Sequence, residues 1–152
     1  MANFGHFLGS PRHKTHIFLA FQACGTTTAK LYPYMKVLIA DDTDSVRFAM
    51  RLVLEHLGHE VIGYATNGQE AIDKCASMHP EIVVMDVRMP RMDGLTCCTK
   101  LSQSSPNSKV VIVTGSRTTE TEARQAGARG FVEKPFDVGD LDRAIIGALA
   151  AA

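Results

Sequence analysis

The chain has 152 residues, 45% of them hydrophobic, with 16 basic and 16 acidic side chains and a mean hydropathy of +0.01. That composition fits a soluble chain long enough for one domain with a packed core, and no apolar run approaches the roughly 20 residues of a membrane-spanning helix. Residues 1–34 carry Arg12, Lys14 and Lys30 with no acid, so 35–152 is net negative and lacks the basic footprint of a nucleic-acid binder.

The extension at 1–34 mixes Gly, Ser, Pro and Thr with His6, His13 and His16 and shows no clean period. Its basic patch (Arg12, His13, Lys14) precedes an apolar run at 17–21, with Ala23 as a conceivable cleavage residue. The run is shorter than the roughly 7–15 residues of a secretory signal. The extension therefore reads as a flexible segment or as sequence upstream of a true start at Met35. The cysteines are Cys24, Cys75, Cys97 and Cys98, without C-x-x-C spacing, so neither a zinc site nor a disulfide framework is indicated. Cys75 and Cys98 fall on apolar helix faces, the usual setting of reduced, buried thiols.

From residue 36 the pattern is regular. KVLIA (36–40) is a short apolar run of the kind buried on both faces of a sheet, and it ends in Asp41 and Asp42. Asp44 or Ser45 then caps a helix to about Leu57, with Val46, Ala49, Val53 and Leu57 on one stripe and Gly58 as the stop. Residues 60–64 read as a strand and Asn67-Gly68 as a turn. A helix follows through Ala71, Ile72, Cys75 and Met78 until His79-Pro80 breaks it. IVVM (82–85) is a second doubly buried strand, ending in Asp86; the next loop carries Pro90 and closes on Asp93-Gly94. A helix at about 94–102 shows Leu95, Cys98 and Leu101 at helical spacing. KVVIVT (109–114) is another buried strand, ending in the Thr114 hydroxyl. Residues 118–126 form a polar helix whose apolar anchors are Ala123 and Ala126. Residues 130–133 form a short strand through Phe131 and Val132, followed by Lys134-Pro135. The last helix, about 138–150, is expected to bury Val138, Leu141, Ile145 and Leu149.

Five strands alternating with five helices imply a parallel sheet joined by right-handed crossovers and covered on both faces. In such a sheet the strand ends of one polarity share an edge, where ligand chemistry gathers. Asp41, Asp42, Asp86, Thr114 and Lys134 all lie just past those ends. Clustered carboxylates repel unless a cation joins them, and an oxygen-only donor set with room for water suits Mg²⁺. An ammonium and a hydroxyl beside them suit phosphoryl oxygens, so the pocket describes phosphoryl transfer to a carboxylate. Taken singly, Asp42 and Asp93 read as helix caps, Thr114 as a strand end, Phe131 as core and Lys134 as a solvated base. Their joint placement carries the reading.

The motifs VLIADD (37–42), MDVRMPRMDG (85–94), VIVTGS (111–116) and AGARGFVEKPF (126–136) make residues 36–147 resemble a receiver domain of two-component response regulators, similar to the single-domain chemotaxis regulator. The resemblance implies a flavodoxin-like, doubly wound sheet in the order 2-1-3-4-5, for which the chemotaxis regulator is a standing example. It implies a receiver domain at 35–152, Asp86 as phosphoacceptor from a sensor histidine kinase or a histidine phosphotransfer protein, and Mg²⁺ as cofactor. Asp42, Asp86 and the backbone carbonyl of Arg88 would hold the ion directly, and Asp41 through water. Thr114 and Lys134 would bind the phosphoryl oxygens, Phe131 would be the switch aromatic, and the Lys134-Pro135 bond would be cis. Further implied are a cytoplasmic setting and a signalling module rather than an enzyme, although one that can assist its own phosphorylation and dephosphorylation.

Because the chain ends shortly after the last helix, it is expected to act without an output domain. It would present the 118–126 helix, the Phe131 strand and the last helix to a target protein. The alternatives are a relay passing phosphate from Asp86 to a second histidine protein, and a receiver cut from a longer DNA-binding regulator. Residues 118–126 hold no large apolar side chain, so that helix is expected to be the mobile element, biased by phosphate through Thr114 and Phe131.

Overall fold

The computed structural model describes residues 34–151. The expectations for the extension (the signal-like run, His6, His13, His16 and Cys24) lie outside the described residues. The elements are β1 (Lys36–Ala40), α1 (Asp44–His56), β2 (Glu60–Ala65), α2 (Gly68–Met78), β3 (Ile82–Met85), α3 (Gly94–Ser104), β4 (Lys109–Thr114), α4 (Glu120–Gln125), β5 (Gly130–Glu133) and α5 (Val138–Ala150). Every strand pairing is parallel, and the order is β2-β1-β3-β4-β5, as the sequence reading implied. Among the described residues no helix is long and apolar enough to cross a membrane.

The unbroken apolar strands are explained by two cores. Alternate residues of one strand face opposite sides of a sheet. Leu38, Val83, Met85, Val110 and Ile112 therefore face one way and meet Ala71 and Cys75 of α2, Cys97, Cys98 and Leu101 of α3, and Ala123 of α4. Val37, Ile39, Ile82, Val84, Val111 and Val113 face the other way and meet Met50 and Leu54 of α1 and Leu141, Ile145 and Ala148 of α5. Cys75, Cys97 and Cys98 are free and buried, and burial pushes their thiols up to about 11, 12 and 12. They are structural side chains and not nucleophiles.

The helices depart from the sequence reading in register and in their ends. The buried stripe of α1 is centred on Met50 and Leu54, with Val46, Val53 and Leu57 half-buried and Ala49 exposed. A run rich in apolar residues on several faces offers more than one stripe, and contact with the sheet chose between them. The N-cap of α1 is Thr43, whose hydroxyl makes no capping bond and donates instead to Asp42, while the carboxylate of Asp44, already inside the helix, pairs with Arg47. In α5, Val138 is 38% exposed at the first helical position, next to the Asp137–Asp140 capping box, and Ala148 is buried where Leu149 was expected. Asn67 is a helix cap and not a turn: its side chain accepts the Glu70 N–H at 2.9 Å. Helix α4 begins at Glu120, later than the sequence suggested, behind a Thr119–Glu122 capping box.

His79 closes α2 in the left-handed region, with φ 51° and ψ 55°. A Cβ is disfavoured there and glycine is not. His79 is exposed. His79→Gly should raise stability by about 1 kcal/mol, read as a higher urea midpoint at unchanged slope.

Candidate functional site

The central strands bring the acids together. Ala40 of β1 lies opposite Met85 of β3, and the Asp86 N–H donates to the Ala40 carbonyl at 2.9 Å. Asp41 and Asp86 thus leave adjacent strands side by side. Asp41 is 4% exposed; its own N–H donates to the Ala65 carbonyl at 3.0 Å, and its Oδ1 accepts the Thr43 N–H at 2.9 Å. Asp42 is exposed, with its Oδ1 accepting the Thr43 hydroxyl at 3.3 Å. Asp86 is mostly covered, and its Oδ1 accepts the Val87 N–H at 2.7 Å. One carboxylate oxygen from each of the three lies within 4.8 Å of the others.

Lys134 completes the group from the far side. Its N–H donates to the Thr114 carbonyl at 2.9 Å, continuing the β4–β5 ladder, and the Lys134-Pro135 peptide is cis. Its ammonium reaches back over β4 to stand 3.5 Å from Asp41 Oδ2 and 3.7 Å from Asp86 Oδ2. Burial pushes the Asp41 carboxyl above its ordinary value, and the charges of Asp86 and Asp42 act in the same direction. The Thr43 N–H and Lys134 oppose them. With all three acids ionised and one ammonium among them, two negative charges stay uncompensated. An oxygen-only donor set with that residual charge fits a hard divalent ion such as Mg²⁺.

Thr114 is fully buried at the end of β4. Its hydroxyl is turned to Ser116, donating to Ser116 Oγ at 2.9 Å and accepting the Ser116 N–H at 3.1 Å. Phe131 sits on β5 opposite Ile112, half-buried against the core beneath α2 and α3. Arg88 is exposed in the β3–α3 loop. Asp93, read as a cap when taken alone, is the N-cap of α3, accepting the Thr96 N–H at 2.9 Å.

Two glycines that the sequence reading treated as turn or helix-start residues position this loop. A Cβ on Gly94 would stand 2.1 Å from the Asp86 carbonyl oxygen, so the first turn of α3 closes directly on the backbone of Asp86. A Cβ on Gly68 would stand 2.7 Å from the Met92 carbonyl oxygen. The Gly68 N–H donates to that oxygen at 3.2 Å, and the Cys97 thiol donates to the Gly68 carbonyl at 3.3 Å. The loop after Asp86 is therefore clamped between two helix starts. The available signal was that both glycines follow a capping residue, Asn67 or Asp93.

The model of the response regulator receiver domain matches residues 37–146. The chain is 38% identical over 103 residues to the chemotaxis protein CheY of Thermotoga maritima, covering 66% of this chain and 86% of that protein. It is 36% identical over 121 residues to the transcriptional regulatory protein PdtaR of Mycobacterium tuberculosis, spanning 79% of this chain but only 59% of that protein. Among solved structures, a LuxR-family two-component response regulator from Aurantimonas superposes with a TM-score of 0.72 at 29% identity, over 77% of this chain and 86% of that one. A chain of the CheX-CheY-BeF3-Mg+2 complex from Borrelia burgdorferi superposes with a TM-score of 0.72 at 25% identity, over 79% and 92%.

A carboxyl whose pKa is higher in the folded state binds its proton more readily there. Stability therefore falls as pH rises from the unfolded value through the folded one. Asp41→Asn removes that penalty. In EDTA at pH 7 the variant should be more stable than wild type by on the order of 1 kcal/mol, with the gap closing below about pH 4. Magnesium should stabilise wild type more than the variant. Urea unfolding with and without the ion checks both, and a variant less stable in EDTA at pH 7 contradicts the electrostatic account.

Proposed function

The chain belongs to the response regulator receiver domain family of two-component signalling, and from that membership we propose that Asp86 accepts a phosphoryl group from a histidine of a sensor kinase or a histidine phosphotransfer protein. The observation that carries the reading is the Lys134 ammonium, poised 3.5 and 3.7 Å from Asp41 and Asp86 at the mouth of a three-carboxylate cluster. The receiver unit is assigned to 35–152, with 1–34 as an extension before it.

In this reading Asp42, Asp86 and the Arg88 carbonyl would hold Mg²⁺, and Asp41 would act through water. The chemistry such an ion supplies is charge neutralisation, among the carboxylates and on the transferring group. An Asp86 carboxylate oxygen forms the new bond to phosphorus as the bond from phosphorus to the donor imidazole nitrogen breaks, and the electron pair leaves with that nitrogen. Lys134 meets a phosphoryl oxygen from the side on which its ammonium already stands. Thr114 offers its hydroxyl proton to another, and Phe131 follows the movement of Thr114.

The product is a signalling state, so the chain acts as a phosphoacceptor module rather than an enzyme with a substrate of its own. The downstream target is a protein that docks on the face formed by 118–126, β5 and α5. That face carries a groove lined by Phe131, Glu133, Asp140, Arg143 and Ala144. The proposed place of action is the cytoplasm, where phosphohistidine donors of this kind work.

With acetyl phosphate and Mg²⁺, wild type should gain one phosphoryl group by intact mass, and Asp86→Asn none. EDTA should abolish uptake. Asp42→Asn should raise the Mg²⁺ concentration for half-maximal uptake by at least about tenfold. A wild-type protein that stays unmodified under these conditions refutes the assignment.

A further inference from the structure

The loop between β4 and α4 continues from Thr114 into two further hydroxyls, Ser116 and Thr118, to which the phosphoryl site gives no role. Thr114 has a single hydroxyl proton, and it goes to Ser116 Oγ at 2.9 Å, while the Thr114 oxygen accepts the Ser116 N–H at 3.1 Å. Ser116 Oγ shares a second hydrogen bond, 2.8 Å long, with Thr118 Oγ1 and also accepts the Thr118 N–H at 3.3 Å. A serine hydroxyl accepts twice and donates once, so Ser116 has every position filled when its own proton points to Thr118. The next residue, Thr119, is the N-cap of α4. Its N–H and hydroxyl donate to Glu122 Oε2 at 2.7 and 2.9 Å, and the Glu122 N–H returns to Thr119 Oγ1 at 3.3 Å. An unbroken series of hydroxyl contacts thus runs from the buried end of β4 to the residue before the α4 cap. Gly115, between Thr114 and Ser116, contributes no side chain to it.

We propose that Ser116 is a positioning residue that transmits the state of Thr114 to α4 through Thr118. The proposal rests on the reading of Asp86 as phosphoacceptor. When the Thr114 proton turns to a phosphoryl oxygen, Ser116 Oγ loses its donor and one acceptor position opens. Ser116 and Thr118 are two residues apart and bonded through both side chain and backbone, so this change resets Thr118, the residue that leads directly into the α4 cap. Helix α4 is six residues long and buries only Ala123, so little apolar contact opposes the shift. Short chains of hydroxyls respond together, since each bond polarises the next.

The test uses the full chain with saturating acetyl phosphate and Mg²⁺, reading phosphate uptake by intact mass and amide hydrogen exchange across 118–126. In wild type, exchange in that segment should change by about fivefold or more on phosphorylation, the equivalent of one hydrogen bond. Ser116→Ala should take up phosphate to the same extent with its exchange response reduced to less than about twofold, and Ser116→Thr, which keeps the hydroxyl, should restore it. Thr118→Val, leaving Ser116 intact, should uncouple in the same way. A full response in Ser116→Ala, no rescue by Ser116→Thr, or a phosphorylated wild type whose 118–126 exchange is unchanged each overturns the relay while leaving Asp86 as acceptor. A wild type that takes no phosphate removes the Asp86 reading, and the relay falls with it.

Discussion

The constraint on which this molecule turns is the forced meeting of Asp41 and Asp86. Their backbones are fixed by the pairing of β1 with β3, Ala40 opposite Met85, and parallel strands lie about 4.8 Å apart. Two carboxylates set on neighbouring strand ends at that spacing repel each other, and Asp41 is also stripped of water. The sheet cannot separate them without losing its central register, whose strands carry the largest fully buried side chains, among them Leu38, Ile39, Ile82 and Met85. Burial of a Leu or Ile side chain contributes about 1.5–3 kcal/mol each, so the hydrophobic term holds the pair together against its own charge. Lys134 relieves part of the repulsion and leaves a net negative, oxygen-only donor set of the kind that fits a divalent cation.

The loop after Asp86 is held in place as the strands are, but by different means. Apolar burial does little of this, since much of the loop is exposed. Backbone proximity does it instead. Gly94 and Gly68 let two helix starts close on the loop, at distances a Cβ would forbid. Arg91 adopts φ 67° there, a left-handed conformation disfavoured for a residue with a Cβ and tolerated where the surroundings determine the chain path.

These relations were unevenly legible in the sequence. A strand buried on both faces has one composition whatever its register, so KVLIA, IVVM and KVVIVT declared themselves, and the strand-end rule then put Asp41, Asp42, Asp86, Thr114 and Lys134 along one edge. Helix registers were less legible. In α1, Phe48 and Leu52 are 57% and 48% exposed while Met50 and Leu54 are buried, and the hydropathies of these four residues do not say which pair faces the sheet. Close approach was not legible at all. A periodic pattern reports which side of an element is apolar; it says nothing of a carbonyl standing 2.1 Å from where a Cβ would be, or of a serine hydroxyl bridging two threonines. Those relations come from the path of the loops, and single residue types do not encode it.

The contrast between α4 and α5 decides where a small chemical change at the site can be felt. Helix α5 lays Leu141 and Ile145 into the core, worth several kcal/mol together, and one hydrogen bond of about 1 kcal/mol is minor against that. Helix α4 has the methyl of Ala123 buried, about 0.8 kcal/mol, and a capping box of about 1 kcal/mol. The Arg124 guanidinium adds bonds to Glu120 and to the Arg129 carbonyl, on an exposed surface where such bonds count for little. For α4, a single hydrogen bond at the N-terminal end matches the largest of these contributions. The chain thus combines a rigid edge, where the acids are held against their repulsion, with one adjoining helix whose individual anchoring contributions are each no larger than about one hydrogen bond.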